Sequence, residues 1–465
     1  MSAPAQPAPR RGRRLLLWTL LAVTILALVA AATVVVALKL DDTSDEPLPA
    51  GIPPQPALVT PDPQVRPVAA NAPEPTPAGV TREIADELRD PALGTLTGQI
   101  SDAITGQVLW SRNAGTPRIP ASNDKVLTAA AALLALPHDQ RLTTSVVAGT
   151  NGQIILKGAG DPTLSAQPVG ADTFYTDPGR IADLATQIRR SGVPVRSVAI
   201  DLSAFEGPTM DSTWDRRDIA GGDIAPIESL MVDGARVEPL DEYSPRTPTP
   251  GLAAGRALAK ALDVDGDVAE ATAPVNGQVI ASVQSAPLVT RVNDMLRYSD
   301  NVLAETLSVE LAVHQGLSPT LESGVSAVRN TLQQTFAQQW EGTSLHDASG
   351  LSYANRVPAE LLDVVMTAAS GPAQPKMRPM LDGLPVAAGL AGTLSDRFDP
   401  RTNPGAGWVR AKTGTLTGVS SLTGIVQTVD GRVLSFAMMS GGTSPADARP
   451  ALDAVIGQLR ECGCR

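Results

Sequence analysis

Apolar positions are distributed along this chain in three distinct textures. Residues 15–38, LLLWTLLAVTILALVAAATVVVAL, form an uninterrupted run without a charge. At about 1.5 Å per residue such a helix reaches about 36 Å, enough to cross a hydrocarbon core of about 30 Å with some tilt. Residues 41–80 then hold eleven prolines in forty positions. That density predicts an extended, semi-rigid stalk with no packed core. From about residue 81 strand-like and helix-like runs alternate. In residues 98–113 two short apolar stretches flank Thr105-Gly106, a hairpin pattern. In PASNDKVLTAAAALLAL, residues 120–136, Val126, Ala130, Leu133 and Leu134 recur at the spacing of one helix face. Asn151-Gly152 divides two apolar runs in TSVVAGTNGQIILKGAGDPTL, a second hairpin. Residues 290–370 read as mostly helical. Two strands then meet at Asp430-Gly431, and PADARPALDAVIGQL reads as a last helix. Strands at both ends of the body predict one sheet assembled from both, with a helical cluster between and an insertion from about 145 to 285.

Charge orients the apolar run. Arg10, Arg11, Arg13 and Arg14 precede it and Asp41 and Asp42 follow, which places the N-terminus inside and the body outside the membrane. Because the run exceeds the 7 to 15 apolar residues of a signal peptide, an uncleaved anchor is expected, with cleavage near Ala30–Ala32 as the alternative. The expected plan is a cytoplasmic basic segment (1–14), a transmembrane anchor or signal (15–38), a stalk (39–80), a body (81–145 and 285–465) and one or more inserted domains (146–284). With 37 Lys and Arg against 48 Asp and Glu, the net charge is −11, and the body holds no basic cluster. Nucleic acid is therefore excluded as an expected partner. Cys462 and Cys464, the two cysteines, cannot tie distant parts of the fold together; a frayed tail is the preferred reading over a local or intermolecular disulfide. No spaced Cys/His set suggests a metal, and none of His138, His314 and His346 has a hydrolase-elbow context.

The chemistry starts from a scarcity. The chain has six lysines, and Lys125 stands three residues after Ser122. One helical turn brings the two side chains to the same face, where a neutral lysine can take the serine's proton and make it a nucleophile. The ordinary alternative is an N-cap serine worth about 1 kcal/mol beside a solvated lysine, and the four-residue pattern alone does not decide between them. Two further motifs follow in order: Ser299-Asp300-Asn301, at the start of a helix in MLRYSDNVLAETL, and Lys412-Thr413-Gly414, at the start of a strand in VRAKTGTLTGVSS. Each alone reads as a cap or a turn. Together, S-x-x-K, S-D-N and K-T-G are the active-site set of penicillin-binding proteins and serine β-lactamases.

Over roughly residues 85–460 the chain resembles the low-molecular-mass penicillin-binding proteins of the D-alanyl-D-alanine carboxypeptidase/endopeptidase family, peptidase family S13, in an actinobacterial style. RIPASNDKVLTAAAAL resembles the family's nucleophile segment, and LKGAGDPTL, IAPIESLMVDGA, HDASGLSYANRV and LPVAAGLAGTLSDRF its secondary blocks. The resemblance implies an α/β (α+β) transpeptidase-like fold, an antiparallel sheet flanked by helices with a helical subdomain, and an inserted domain between the first two motifs. It further implies a serine D,D-carboxypeptidase, with endopeptidase activity as an addition, acting on peptidoglycan stem peptides and acylated by β-lactams. No metal or organic cofactor is required.

On that reading Ser122 attacks the carbonyl of the penultimate D-alanine, Lys125 is the general base and Ser299 relays a proton to the leaving amine. Asn301 holds the substrate amide, and Lys412, Thr413, Gly414 and Thr415 bind near its carboxylate. Backbone N–H groups of Ser122 and Thr415 form the oxyanion hole. Where relatives often carry an arginine after G-L-S, this chain has Tyr353, which leaves selectivity for a diaminopimelate terminus open. Asp161 and Asp347 resemble family positions and read equally as turn or cap residues. The alternatives are a β-lactamase, which needs a dedicated deacylating base, and a non-catalytic partner module of the cell-wall machinery.

Overall fold

In the computed structural model, which describes residues 71–465, the strand-like runs resolve into two sheets. In chain order the strands are β1 (Thr95–Asp102), β2 (Val108–Arg112), β3 (Thr143–Ala148), β4 (Gln153–Lys157), β5 (Ser197–Asp201), β6 (Ala269–Glu270), β7 (Val279–Gln284), β8 (Val409–Leu416), β9 (Val419–Gln427) and β10 (Val433–Gly441). The helices are α1 (Pro77–Glu83), α2 (Asp124–Ala135), α3 (Ile181–Ser191), α4 (Arg217–Gly221), α5 (Pro250–Leu262), α6 (Leu288–Tyr298), α7 (Asn301–His314), α8 (Leu321–Phe336), α9 (Ala359–Ser370), α10 (Met380–Gly383) and α11 (Pro445–Gln458).

The first sheet runs β2-β1-β10-β9-β8 and is antiparallel throughout. Its central pairing joins the early strand β1 to the late strand β10, with Ile100 opposite Phe436, so both ends of the body build one sheet, as expected. The second sheet, β6-β5-β4-β3-β7, lies wholly within 143–284. It is mixed: β3 is antiparallel to β4 and β7, while β4, β5 and β6 run parallel. Helices α3 and α5 supply the crossovers that parallel neighbours need. Val146, Ile154, Leu156, Leu184, Ile200 and Leu258 give it a core of its own, so the insertion carries one sheet-based domain that starts a few residues before 146. At the β3–β4 turn Asn151 and Gly152 have φ of 56° and 79°. Two successive positive φ angles are what a two-residue hairpin turn of this hand demands, which is why Asn-Gly marks it.

Three expectations change. Helix α2 does not bury a single face: every residue from Asp124 to Leu133 is buried, because α6, α7, α8 and α9 pack around it. The run Ala129–Ala132 carries little side-chain bulk, which lets those helices approach closely. The folded body begins before residue 81. Thr76 caps α1 by accepting from the Gly79 amide at 3.0 Å, and Val80 and Ile84 are fully buried in a core with Leu96, Phe436, Val455 and Ile456. The tail is not frayed: Cys462 and Cys464 are joined in a disulfide and both are buried, while the Thr76 amide donates to the Cys464 carbonyl at 2.6 Å. The apolar run 15–38 and most of the proline-rich stretch lie outside the described residues. Among the described residues no helix is long and apolar enough to cross a membrane.

Between β1 and β10 sits a buried ion pair. Arg432, just before β10, holds Asp102 through Nε at 2.7 Å and Nη2 at 3.0 Å. Burial would raise the Asp102 carboxyl, but hydrogen bonds from Arg432 and from the Thr105 and Ile104 amides hold it below its ordinary value. Arg432→Met should therefore leave a buried carboxylate without its cation and lower stability by about 3 to 5 kcal/mol, read as a shift of the urea midpoint of residues 71–465.

Candidate active site

Ser122 lies in a single 3₁₀ turn, Ala121–Asn123, that runs straight into α2. Ala121 has a φ of 49°, and the tight reversal leaves Ser122 partly exposed between two buried neighbours. Neither Pro120 nor Asn123 caps the turn through a side chain. The Ser122 hydroxyl instead accepts from Lys125 Nζ at 3.0 Å, so the serine is held by the lysine one turn on. Lys125 also donates to the Ser349 carbonyl at 2.6 Å and to Asn301 Oδ1, which uses all three ammonium protons.

Lys125 is fully buried, and burial lowers it from 10.5 to about 8, against the pull of Asp347, Glu305, Asp300 and Asp124. Two of these acids are themselves perturbed upward. Burial, with Asp347 nearby, pushes Glu305 up to about 8. Burial likewise drives Asp124 well above the ordinary range, and neither of its oxygens has a hydrogen-bond partner among the described residues. Asp347 has a constructional part. It accepts from the Gly350 and Ser352 amides, Asn355 Nδ2 and Trp214 Nε1, all within 2.8 Å, and so shapes the loop that presents the Ser349 carbonyl to Lys125. Asp161 closes its own turn by accepting from Thr163.

The second motif divides its labour. Ser299 ends α6 with φ 57° and ψ 34°, and Asp300 caps α7 by accepting from the Leu303 amide at 2.9 Å. Ser299, on one side of the cap, faces the cleft, and Asn301, on the other, turns its amide to Lys125. Asp300 Oδ2 accepts from Tyr175 Oη and Arg236 Nη2, both at 2.8 Å, with Arg246 at 3.7 Å. Burial opposes ionisation of Asp300, yet Arg236 and Arg246 hold its carboxyl far below the ordinary range. Arg236 in turn stacks on Phe174 at 3.5 Å, and Asn301 Nδ2 donates to the Asp223 carbonyl at 2.8 Å. All these partners come from the insertion, so one wall of the site is built by it. Sequence reasoning found none of them, since a buried arginine carries no local signature.

The third motif lies within edge strand β8 rather than at its start. Gly414 permits the approach to the nucleophile: a Cβ there would stand 2.7 Å from the Pro120 carbonyl and 2.1 Å from Ser421 Oγ. Lys412 is fully buried and donates to Ser299 Oγ at 2.8 Å and the Thr413 carbonyl at 2.6 Å. Burial and the charge of Lys125 lower it well below its ordinary value. Thr413 Oγ1 donates to Thr393 Oγ1 at 2.7 Å, and Thr415 Oγ1 accepts from Arg449 Nη2 at 2.9 Å and Nε at 3.2 Å. Ser122, Ser299, Thr413 and Thr415 face one cleft of about 1020 Å³, whose lining includes Arg449 but not Lys412. Tyr353, half exposed, accepts from the Thr417 amide at 3.0 Å through its hydroxyl. Among the described residues no group of three or more His, Cys, Asp or Glu is arranged to hold a metal ion.

Comparison with known proteins identifies the family and the fold. The model of the D-Ala-D-Ala carboxypeptidase 3 (S13) family matches residues 80–248 and 241–462. A carboxypeptidase of Mycobacterium tuberculosis is 49% identical over 418 residues, 89% of this chain and 90% of that protein. Carboxypeptidase DacB of Mycolicibacterium smegmatis is 46% identical over 448 residues, 95% and 96% of the two chains. A D-alanyl-D-alanine carboxypeptidase of an Actinomadura species is 30% identical, covering 80% of this chain and 83% of that one. In fold, the chain is similar to penicillin binding protein 4 of Haemophilus influenzae, with a TM-score of 0.65 at 20% identity over 83% of this chain and 99% of that one. The expected α+β architecture is thus present.

The ionisation of Lys125 sets a pH dependence. Only its neutral form accepts the Ser122 proton, and its pKa is lowered to about 8 by burial. The rate of Ser122 acylation should climb about tenfold per pH unit below that value and flatten above it. Intact-mass kinetics with benzylpenicillin between pH 6 and 9.5 read this directly; a flat profile would remove Lys125 as the base.

Proposed function

The chain belongs to the D-Ala-D-Ala carboxypeptidase 3 (S13) family and is a serine D-Ala-D-Ala carboxypeptidase, and we propose that Ser122, Lys125 and Ser299 carry the reaction. The observation that bears most weight is the double pairing of two buried lysines with two serines, Lys125 with Ser122 at 3.0 Å and Lys412 with Ser299 at 2.8 Å, in one cleft.

Neutral Lys125 takes the Ser122 proton as Oγ attacks the carbonyl of the penultimate D-alanine in a peptidoglycan stem peptide. The developing oxyanion is held by backbone N–H groups of Ser122 and Thr415, a contribution typically of about 3 kcal/mol per donor. The C–N bond breaks as the proton taken up by Lys125 passes through Ser299, whose hydroxyl is oriented by Lys412, to the leaving amine, which returns Lys125 to its neutral form. D-Alanine departs and leaves an ester on Ser122. Water, deprotonated by Lys125, then cleaves the ester and restores the serine. A β-lactam follows the same first steps, but its leaving group stays tethered. Asn301, pinned by the Asp223 carbonyl and Lys125, is suited to hold the peptide amide.

The apolar run 15–38, with arginines before and aspartates after, supports a single-pass anchor and an extracytoplasmic body. The full chain should then sediment with membranes and resist high-salt washing. Recovery in the salt wash, or a mature N-terminus after Ala32, would exclude the anchor.

Ser122→Ala should lower D-alanine release from an acyl-D-Ala-D-Ala peptide by at least about 1000-fold and abolish the benzylpenicillin adduct, with an unchanged thermal midpoint. The parent chain should give a lasting one-to-one adduct on Ser122. An adduct lost within seconds would point to a β-lactamase, and no adduct to a non-catalytic module.

A further inference from the structure

The reaction demands a recognition element that the three motifs do not supply. In the substrate the terminal carboxylate carbon is three bonds from the attacked carbonyl carbon, about 4 Å away at most. Whatever reads that carboxylate must therefore sit beside the oxyanion position, on the β8 side of the cleft. Lys412 is the obvious cation by sequence, yet it is fully buried, bonded to Ser299 and the Thr413 carbonyl, and absent from the cleft lining. Arg397 lines the cleft but is committed to Asp453 through two hydrogen bonds.

Resting on the carboxypeptidase reading, we propose that Arg449 is a specificity-determining residue that recognises the free terminal carboxylate of the substrate, together with the hydroxyl of Thr415. Three observations carry this. The backbone at Gly414 lies against the nucleophile turn, Thr415 is the next residue, and the Arg449 guanidinium is 2.9 Å from its hydroxyl. Arg449 is exposed and pairs with no carboxylate within 4 Å among the described residues, so its remaining N–H groups are free for a ligand. By donating twice to Thr415 Oγ1, Arg449 occupies that oxygen's lone pairs and turns its O–H outward as a donor. Thr413, two residues back on the same face of the strand, has its hydroxyl proton committed to Thr393 Oγ1 at 2.7 Å. The product is a set of donors converging where the carboxylate must lie, with a planar fork suited to it.

The test compares two substrates that differ at one group: an acyl-D-Ala-D-Ala peptide with a free C-terminal carboxylate and the same peptide as its carboxamide. Full-length chain in detergent is used, unmodified and as Arg449→Gln and Arg449→Lys. Arg449→Gln should lower kcat/KM on the acid by roughly 10- to 100-fold, chiefly through KM, and on the amide by less than about threefold. Arg449→Lys should recover part of the loss on the acid. Equal losses on both substrates would overturn the proposal and reduce Arg449 to a support for Thr415; no loss on the acid would overturn it outright. If the unmodified chain releases neither D-alanine from the acid nor D-alaninamide from the amide, the carboxypeptidase reading itself fails, an outcome distinct from a failure at Arg449.

Discussion

The site depends on keeping an ammonium group out of water. A lysine in solvent is protonated at neutral pH and useless as a base. Enclosing Lys125 in a helical cluster brings its pKa near 8 at the cost of burying a group that must find three acceptors when charged. Ser122, Asn301 and Ser349 provide them, one from each of three separate segments. Helix α2, the Ser299–Asn301 junction and the loop shaped by Asp347 are therefore fixed relative to one another by the needs of one nitrogen. Lys412 repeats the arrangement across the cleft, and the nearness of the two lysines depresses Lys412 further.

The insertion is tied to the same requirement. Its sheet and core are self-contained, but the stretch carrying Trp214, Asp223, Arg236 and Arg246 leaves that sheet and packs on the catalytic body, where Ile224 and Met231 meet Val302 of α7. Asp300 is the junction. It caps α7 and anchors Arg236, so the helix that bears Asn301 and the segment that holds the Asn301 amide share one carboxylate. A catalytic body lacking this stretch would keep its three motifs and lose the wall that holds the second of them.

What was legible in the sequence follows from how local each constraint is. Ser122 and Lys125 sit one turn apart, Ser299 and Asn301 flank a cap, and Asn151, Gly152 and Gly431 answer to backbone angles that few residues adopt; each leaves a mark within four positions. Helix α2 was visible as a helix but not as a fully enclosed one, because a run of alanines has no strong polar face to betray which side is buried. Helix α1 was obscured by the proline content around it, although Val80 and Ile84 were there to be buried. The placement of Lys412 mid-strand, the partners of Asp300 and the reach of Arg449 to Thr415 are long-range facts. They arise when distant segments are packed, and no spacing along the chain encodes them.

The clasp between α1 and the C-terminal segment has a topological consequence. Thr76 and Cys464 are one hydrogen bond apart, so the places where the chain enters and leaves the folded body coincide. Linking two points that already touch would strain nothing in the folded state, and the body is in effect a closed ring cut at an arbitrary place. Such a ring can be reopened in an exposed turn, for instance at Gly170 in the insertion, with the pairing of β1 and β10 unchanged. The order in which the three motifs are synthesised is thus separable from the geometry that makes them one site.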